Sequence, residues 1–233
     1  MKKCLLLTVA VLFILSSFAQ AAPITFFGED LSGVNVNSQV AQDNFLAVLS
    51  GVGTEDFEGI ANGTTAPLAL DFGVAGTATL GGSGFVNASS NYAGRFAVSG
   101  SQYWEGGGDF TIEFSTAISA FGFYATDIGD FLGQVTLEYA NGSGSQVLNI
   151  GNTIGAPNGS LLYFGFYDDE IANAFSSITF GNTNLGVDYF GFDDMTIGTY
   201  EQVIIDPVPE PSTWLLMGTG LAGLAWYRRR KSA

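Results

Sequence analysis

Apolar and polar residues alternate in short runs through most of the chain. In Gln134-Val-Thr-Leu-Glu-Tyr139, Val135, Leu137 and Tyr139 fall on one face and Thr136 and Glu138 on the other, the period of two expected of a half-buried strand. Asn141-Gly142-Ser143-Gly144 then turns the chain into Gln146-Val-Leu-Asn-Ile150, a hairpin pattern. Similar runs predict strands at Ile24–Phe27, Thr54–Glu58, Ala78–Leu80, Arg95–Val98, Asp109–Phe114, Ala120–Thr126, Ser145–Ile150, Leu161–Tyr167, Ser177–Phe180 and Tyr189–Ile197. Helical spacing occurs over Ser38–Leu49, with Phe45, Val48 and Leu49 on one side, and then not again until the C-terminal segment. Many short strands without intervening helices predict an all-β fold: an antiparallel two-sheet sandwich, jelly-roll-like rather than a barrel. No linker interrupts 51–206, so residues 22–206 are expected to form one domain.

Three of the strands share a pattern. Phe121-Gly-Phe123, Phe164-Gly-Phe166 and Phe190-Gly-Phe192 each precede acids by a few residues, without the even spacing of a propeller or solenoid. In a strand the two Phe of each triplet point to one inner face. The Gly between them lets another group approach the outer face closely.

Both ends read as addresses. Lys2 and Lys3 precede an apolar stretch from Cys4 to Phe18, and Ala19-Gln20-Ala21 supplies small residues for cleavage, so 1–21 is expected to be a signal peptide with a helical apolar core. Cys4 leaves with it, and the remaining chain has neither Cys nor His. Disulfides, thiol chemistry, a His general base and His- or Cys-ligated zinc are thereby excluded from the body. At the other end Val208-Pro209-Glu210-Pro211-Ser212 leads into an apolar run from Trp214 to Tyr227, 14 residues long, and then Arg228, Arg229, Arg230 and Lys231. A transmembrane helix at about 212–227 is short beside the ~20 residues of a comfortable span, and the basic cluster behind it is expected to stay cytoplasmic as a stop.

This tripartite end, over 207–233, resembles the PEP-CTERM sorting tail. In that family an exosortase, an integral-membrane cysteine protease, recognises and removes the tail of exported proteins in Gram-negative bacteria that make exopolysaccharide. The resemblance implies that Pro209, Glu210 and Pro211 are the recognition residues and that the chain is a substrate of the exosortase. It also implies a protein exported through the inner membrane, membrane-anchored until processed, then held at the cell surface or in the extracellular matrix. The order Phe57-Glu58-Gly59, the Phe-Gly-Phe middle and Phe190-Gly-Phe-Asp-Asp-Met-Thr-Ile197 also resembles bodies found on such proteins, which are sandwich domains of mostly unassigned activity.

Charge sharpens the division. The whole chain is −15, with 22 acids and 7 bases, but six of the bases lie in the two terminal segments. From Ala22 to Asp206 there are 21 acids and one base, Arg95, a net of −20 over 185 residues. Such a body does not hold a phosphate backbone by charge, so nucleic acid is excluded as a partner.

The acids fall into groups, and oxygen-only donors suit a hard cation such as Ca²⁺, which takes about 6–8 oxygens. If the strands carrying them are neighbours, Glu55, Glu58, Asp193 and Asp194 are the candidate ligands of a structural Ca²⁺; no other cofactor is indicated. On Tyr189–Ile197, Asp193 shares parity with Met195 and Ile197, and Asp194 with Phe190 and Phe192. One carboxylate therefore faces an apolar layer and needs a metal, a cluster of backbone amides or Arg95. Tyr103 and Trp104 are the candidate platform for stacking on sugar rings. Together these features suggest a non-enzymatic envelope or matrix protein associated with exopolysaccharide. Two alternatives are a glycoside hydrolase or lyase using two carboxylates, and a self-associating adhesin.

Overall fold

The structure, a computed structural model, describes residues 22–31, 34–89, 94–129, 132–182, 189–204 and 228–230. The expected signal peptide, the Pro-Glu-Pro motif and the expected transmembrane helix lie outside these residues. Among the described residues no helix is long and apolar enough to cross a membrane.

Among the described residues of 22–204, eleven strands and one α-helix follow in order: β1 (Ile24–Asp30), α1 (Asn37–Ala47), β2 (Gly53–Glu55), β3 (Leu68–Asp71), β4 (Thr77–Asn87), β5 (Tyr103–Ile118), β6 (Ala120–Thr126), β7 (Gly133–Tyr139), β8 (Ser145–Asn149), β9 (Leu161–Tyr167), β10 (Phe175–Asn182) and β11 (Tyr189–Gly198). Every pairing between them is antiparallel. The alternating and Phe-Gly-Phe runs give β6 and β9 with the expected bounds. Two expectations change. Arg95–Val98 is not a strand but part of a loop laid on the sheet, and Leu68–Asp71 is a strand that four residues of pattern are too short to announce.

The strands form one ladder, β1-β9-β6-β11-β5-β10-β7-β8, with β2 on β11 and β3-β4 on β5. It folds into two facing layers because β5 belongs to both. Trp104–Gly107 pair with β11, whereas Phe110–Ile118 pair with β10. β4 follows it through a register shift between Gly82 and Gly84. Gly82 and Gly108, at φ 107° and 93°, take the left-handed backbone that the bend requires and that side chains resist. The sandwich is therefore continuous at its seam rather than two separate sheets.

The core between the layers is a Phe lattice. Phe192 stands edge-on to Phe110 and Phe180, with ring centroids 4.8 and 4.6 Å apart, and Phe166 meets Phe175 at 5.4 Å. All six Phe of the three triplets point into this layer, because β9, β6 and β11 are adjacent strands in register. Phe121 lies opposite Phe166, Gly122 opposite Gly165 and Phe123 opposite Phe164.

On the outer face the paired glycines leave a depression, and Phe45 of α1 fills it. A Cβ on Gly122 or Gly165 would come within 2.8 or 2.9 Å of the Phe45 ring. The helix starts where it does because Asp30, at the end of β1, accepts the N–H groups of Val36, Asn37 and Ser38 and the Ser38 hydroxyl. These are the amides that a helix leaves unpaired at its N-terminus. Burial works against the charged form of Asp30, but the four donors outweigh it and hold the carboxyl below its ordinary range.

Candidate functional site

The acids converge, but on a loop. β2 pairs with β11, placing Glu55 opposite Met195 one turn of ladder from Asp193 and Asp194. Asp193 Oδ2 accepts the N–H of Val98 at 2.7 Å and of Ser99 at 3.0 Å, and Oδ1 accepts the N–H of Asp194. Asp194 Oδ1 takes the Ser99 hydroxyl at 2.7 Å. Glu58, from the turn after β2, accepts the N–H groups of Ser101 and Gln102, both at 2.6 Å. Glu55 folds back on the N–H of Phe57 at 2.8 Å. Three of the four candidate ligands thus grip one segment, residues 98–102.

A β-bulge resolves the parity of β11. The ladder with β6 runs from Asp193 opposite Tyr124 to Thr196 opposite Gly122, so β11 carries one extra residue. Asp194 is in the left-handed region at φ 47°. Phe190 and Phe192 before the bulge and Met195 and Ile197 after it all enter the core. Both aspartates are thereby turned to the outer face under the loop, and neither carboxylate meets the Phe lattice. Asp193 is nonetheless 1% exposed. Burial, and then the neighbouring Asp194, push its carboxyl up to about 8 against the pull of its three N–H donors. Burial also raises Asp194 and Glu55, whereas the Ser101 amide holds Glu58 below its ordinary range.

Among the described residues no group of three or more acids is arranged to hold a metal ion. The oxygens of Glu58, Asp193 and Asp194 face N–H and O–H donors of the loop. Of the three compensations open to a buried acid on β11, the cluster of backbone amides is seen around Asp193.

Arg95 anchors the other end of the same loop. Its Nε lies 3.3 Å from Glu105 Oε1 and its Nη1 3.1 Å from Asp127 Oδ2. Nη1 also donates to the Tyr189 carbonyl, and the guanidinium lies 5.7 Å from that ring's centroid. Glu105 Oε2 accepts from Asn87 and from the Tyr103 hydroxyl. Glu105 had no sequence signal of its own. The signal lay in Arg95, since a lone base in so acidic a domain draws its partners inward.

Tyr103 and Trp104 are corrected. Both are fully buried: Trp104 lies in the main core, and Tyr103 lies under the bare Cα of Gly191. Neither offers a ring to a sugar, because β5 enters the sandwich at this point. An aromatic ring that does border a cleft is Tyr200, after β11. With Glu201, Asn141, Thr116, Thr199 and Ile171 it lines a cleft of about 380 Å³ at one end of the sandwich. Ala117, Ala140, Ala172 and Ala174 complete its lining. These residues come from four separate segments, the end of β5 and the stretches after β7, β9 and β11, so their assembly was not readable from any one stretch of sequence.

The body is thus an antiparallel β-sandwich whose acids hold its own loops in place. Its C-terminal segment, residues 207–231, matches the PEP-CTERM protein-sorting motif, and the chain carries that motif. The motif implies an exported protein processed by exosortase, with a membrane-anchored C-terminal signal before processing. Arg228, Arg229 and Arg230 of this segment are helical and exposed.

No curated protein matches the chain in sequence. Among solved structures, the K2 cleaved adhesin domain of Lys-gingipain is similar over 64% of this chain and 100% of its own, at 16% identity and a TM-score of 0.41. The C-terminal family 22 carbohydrate-binding module of Clostridium thermocellum Xyn10B is similar over 67% of this chain and 98% of its own, at 14% identity and a TM-score of 0.36. A DUF4465 family protein from Bacteroides ovatus covers 76% of this chain with 99% of its own, at 10% identity and a TM-score of 0.33. At these identities and scores the likenesses assign neither ligand nor activity.

Proposed function

We propose that this protein is a non-catalytic, saccharide-associated module that exosortase-dependent sorting delivers to the cell surface or extracellular matrix. The sorting motif at 207–231 carries the delivery half of the reading. The state of the acids supports the non-catalytic half. Asp193, Asp194 and Glu58 are committed to residues 98–102, and Glu105 and Asp127 to Arg95, so none of these is poised over an open cleft as glycoside chemistry requires. The saccharide is held at the Tyr200 cleft, whose lining combines an aromatic ring, an amide, a carboxylate and two threonine hydroxyls with four alanines. With no basic residue in its lining, the cleft suits neutral sugars.

Two experiments test this reading. Replacing Pro209, Glu210 and Pro211 with Ala should leave the full-length protein in the membrane fraction of an exosortase-bearing host; normal processing of that variant removes the delivery half. On a glycan array the protein should retain neutral oligosaccharides, and Tyr200→Ala should lose at least tenfold in signal. Release of reducing ends from a retained glycan would instead make the protein a hydrolase.

A further inference from the structure

Where β1 meets α1 the sandwich has a second concave surface, independent of the Tyr200 cleft. β1 closes one end of the ladder. It pairs with β9, and among the described residues no strand lies on its other side. Its register with β9 is unbroken from Ile24 to Asp30, so the open edge is regular, with no bulge to twist it away. It also carries no Lys or Pro within the strand, the devices that commonly blunt an exposed edge.

The helix supplies a wall along that edge. Gly28 has no side chain, and the Asn37 carbonyl occupies the space that a Cβ would need, so the first turn of α1 sits directly on the strand. The Glu29 carbonyl accepts the Asn37 side-chain amide at 3.1 Å, closing the groove at that end. From there a groove of about 370 Å³ runs between Phe26, Phe27 and Gly28 on the strand and Asn37, Val40, Ala41 and Asn44 on the helix. Spacings of three and four put those helix residues on one stripe. Val40 is 55% exposed, and Ile24, on the same strand face as Phe26 and Gly28 and at the open end, is 46% exposed. A regular strand edge beside a helix stripe, with apolar side chains on both, meets the requirements of strand addition. The added backbone pairs with the edge, and its alternate side chains enter the groove.

We propose that this groove binds an extended peptide segment of a partner protein as an added strand on β1, and that the segment is basic. Charge selects the occupant. The body carries −20 with one base, and that base is already paired with Glu105 and Asp127. Edge-to-edge pairing with a second copy brings two such bodies within the ~10 Å over which charges act at 0.1 M salt. A strand alternating apolar residues with Lys or Arg fills the groove and relieves that charge.

Selection of random octapeptides displayed on phage against the immobilised full-length protein tests this proposal. The expected result is enrichment of sequences that alternate β-branched or aromatic residues with Lys or Arg. Val40→Trp, at an exposed position, should weaken binding of the enriched peptides at least tenfold while melting within a few degrees of the parent protein. The absence of enrichment over bare support overturns the proposal, as do acidic or neutral consensus sequences, or equal binding by the Val40→Trp protein. A dimer in sedimentation experiments that Val40→Trp abolishes makes a second copy the occupant and likewise overturns it. Glycan retention at Tyr200 is unaffected by any of these outcomes.

Discussion

Asp193 accepts the backbone N–H of Val98 at 2.7 Å, joining two residues 95 positions apart. The bond ties a loop with no regular structure to the central strand of its layer, and it does so with a carboxyl that burial has lifted to about 8. In the unfolded chain that carboxyl loses its proton near its ordinary value, and in the folded chain it keeps it to about 8. Its contribution to stability is therefore fully present below pH ~4 and is lost as pH rises towards 8. Asp193→Asn keeps an acceptor for the loop and does not titrate. The variant should gain on the parent protein between pH 4 and 8, with the difference levelling above 8. Thermal melts at pH 4, 6 and 8.5 measure it, and a difference that stays flat would mean that Asp193 is ionised throughout.

Arg95→Met removes the base between Glu105 and Asp127 and leaves Glu105, 6% exposed, without its ion pair. Breaking a buried pair on one side costs about 3–5 kcal/mol. Adding Glu105→Gln to that variant should restore part of the loss, because the remaining group is then neutral. Urea titrations of the two variants check both steps.

Gly165→Ala puts a methyl group 2.9 Å from the Phe45 ring. Overpacking of this kind costs about 1–3 kcal/mol. Phe45→Leu alone should also destabilise the fold, yet the double variant should cost less than the sum of the two. Strict additivity in a double-mutant cycle would show that the helix does not bear on this glycine.

Removing divalent cations should leave the melting temperature unchanged, since N–H and O–H donors surround Glu58, Asp193 and Asp194. A drop of several degrees in excess chelator, reversed by Ca²⁺, would return those acids to the role of metal ligands.

Trp104→Ala, at a fully buried ring, should cost about 3–5 kcal/mol. Any glycan signal should survive at temperatures where that variant remains folded. Loss of the signal with no loss of stability would put the sugar back at Trp104.

Where the pattern of residues carried local information, it carried the fold. The Phe-Gly-Phe triplets gave three core strands and the reason for their glycines. What periodicity could not convey was that the three strands are neighbours, so that two of the glycines join into one seat for Phe45. That depends on pairings between residues more than 40 apart, such as Phe121 with Phe166. Strand β5 ran beyond its expected start because Gly106, Gly107 and Gly108 interrupt the apolar run without ending the ladder. At the site, the grouping of acids was legible and their chemistry was not. A carboxylate facing amides and a carboxylate facing a cation leave the same letters in the chain; the difference here was the bulge at Asp194, which no propensity marks. The exposure of Tyr103 and Trp104 turned on where a long strand enters the sandwich, a property of topology rather than of either residue.

The central place of β11 sets the order in which this protein can be finished. β11 lies between β6 and β5 and also carries β2, so a chain leaving the membrane N-terminus first has a gap through the middle of one layer until residue 198 is out. Only eight residues separate Gly198 from the start of the sorting motif at residue 207, a tether of at most about 30 Å even when fully extended. The last strand to arrive closes the core and does so on a short leash. In the proposed reading, cutting at the motif frees a body in which β11 is already present, whereas cutting upstream of β11 would free a chain lacking the strand that joins its halves.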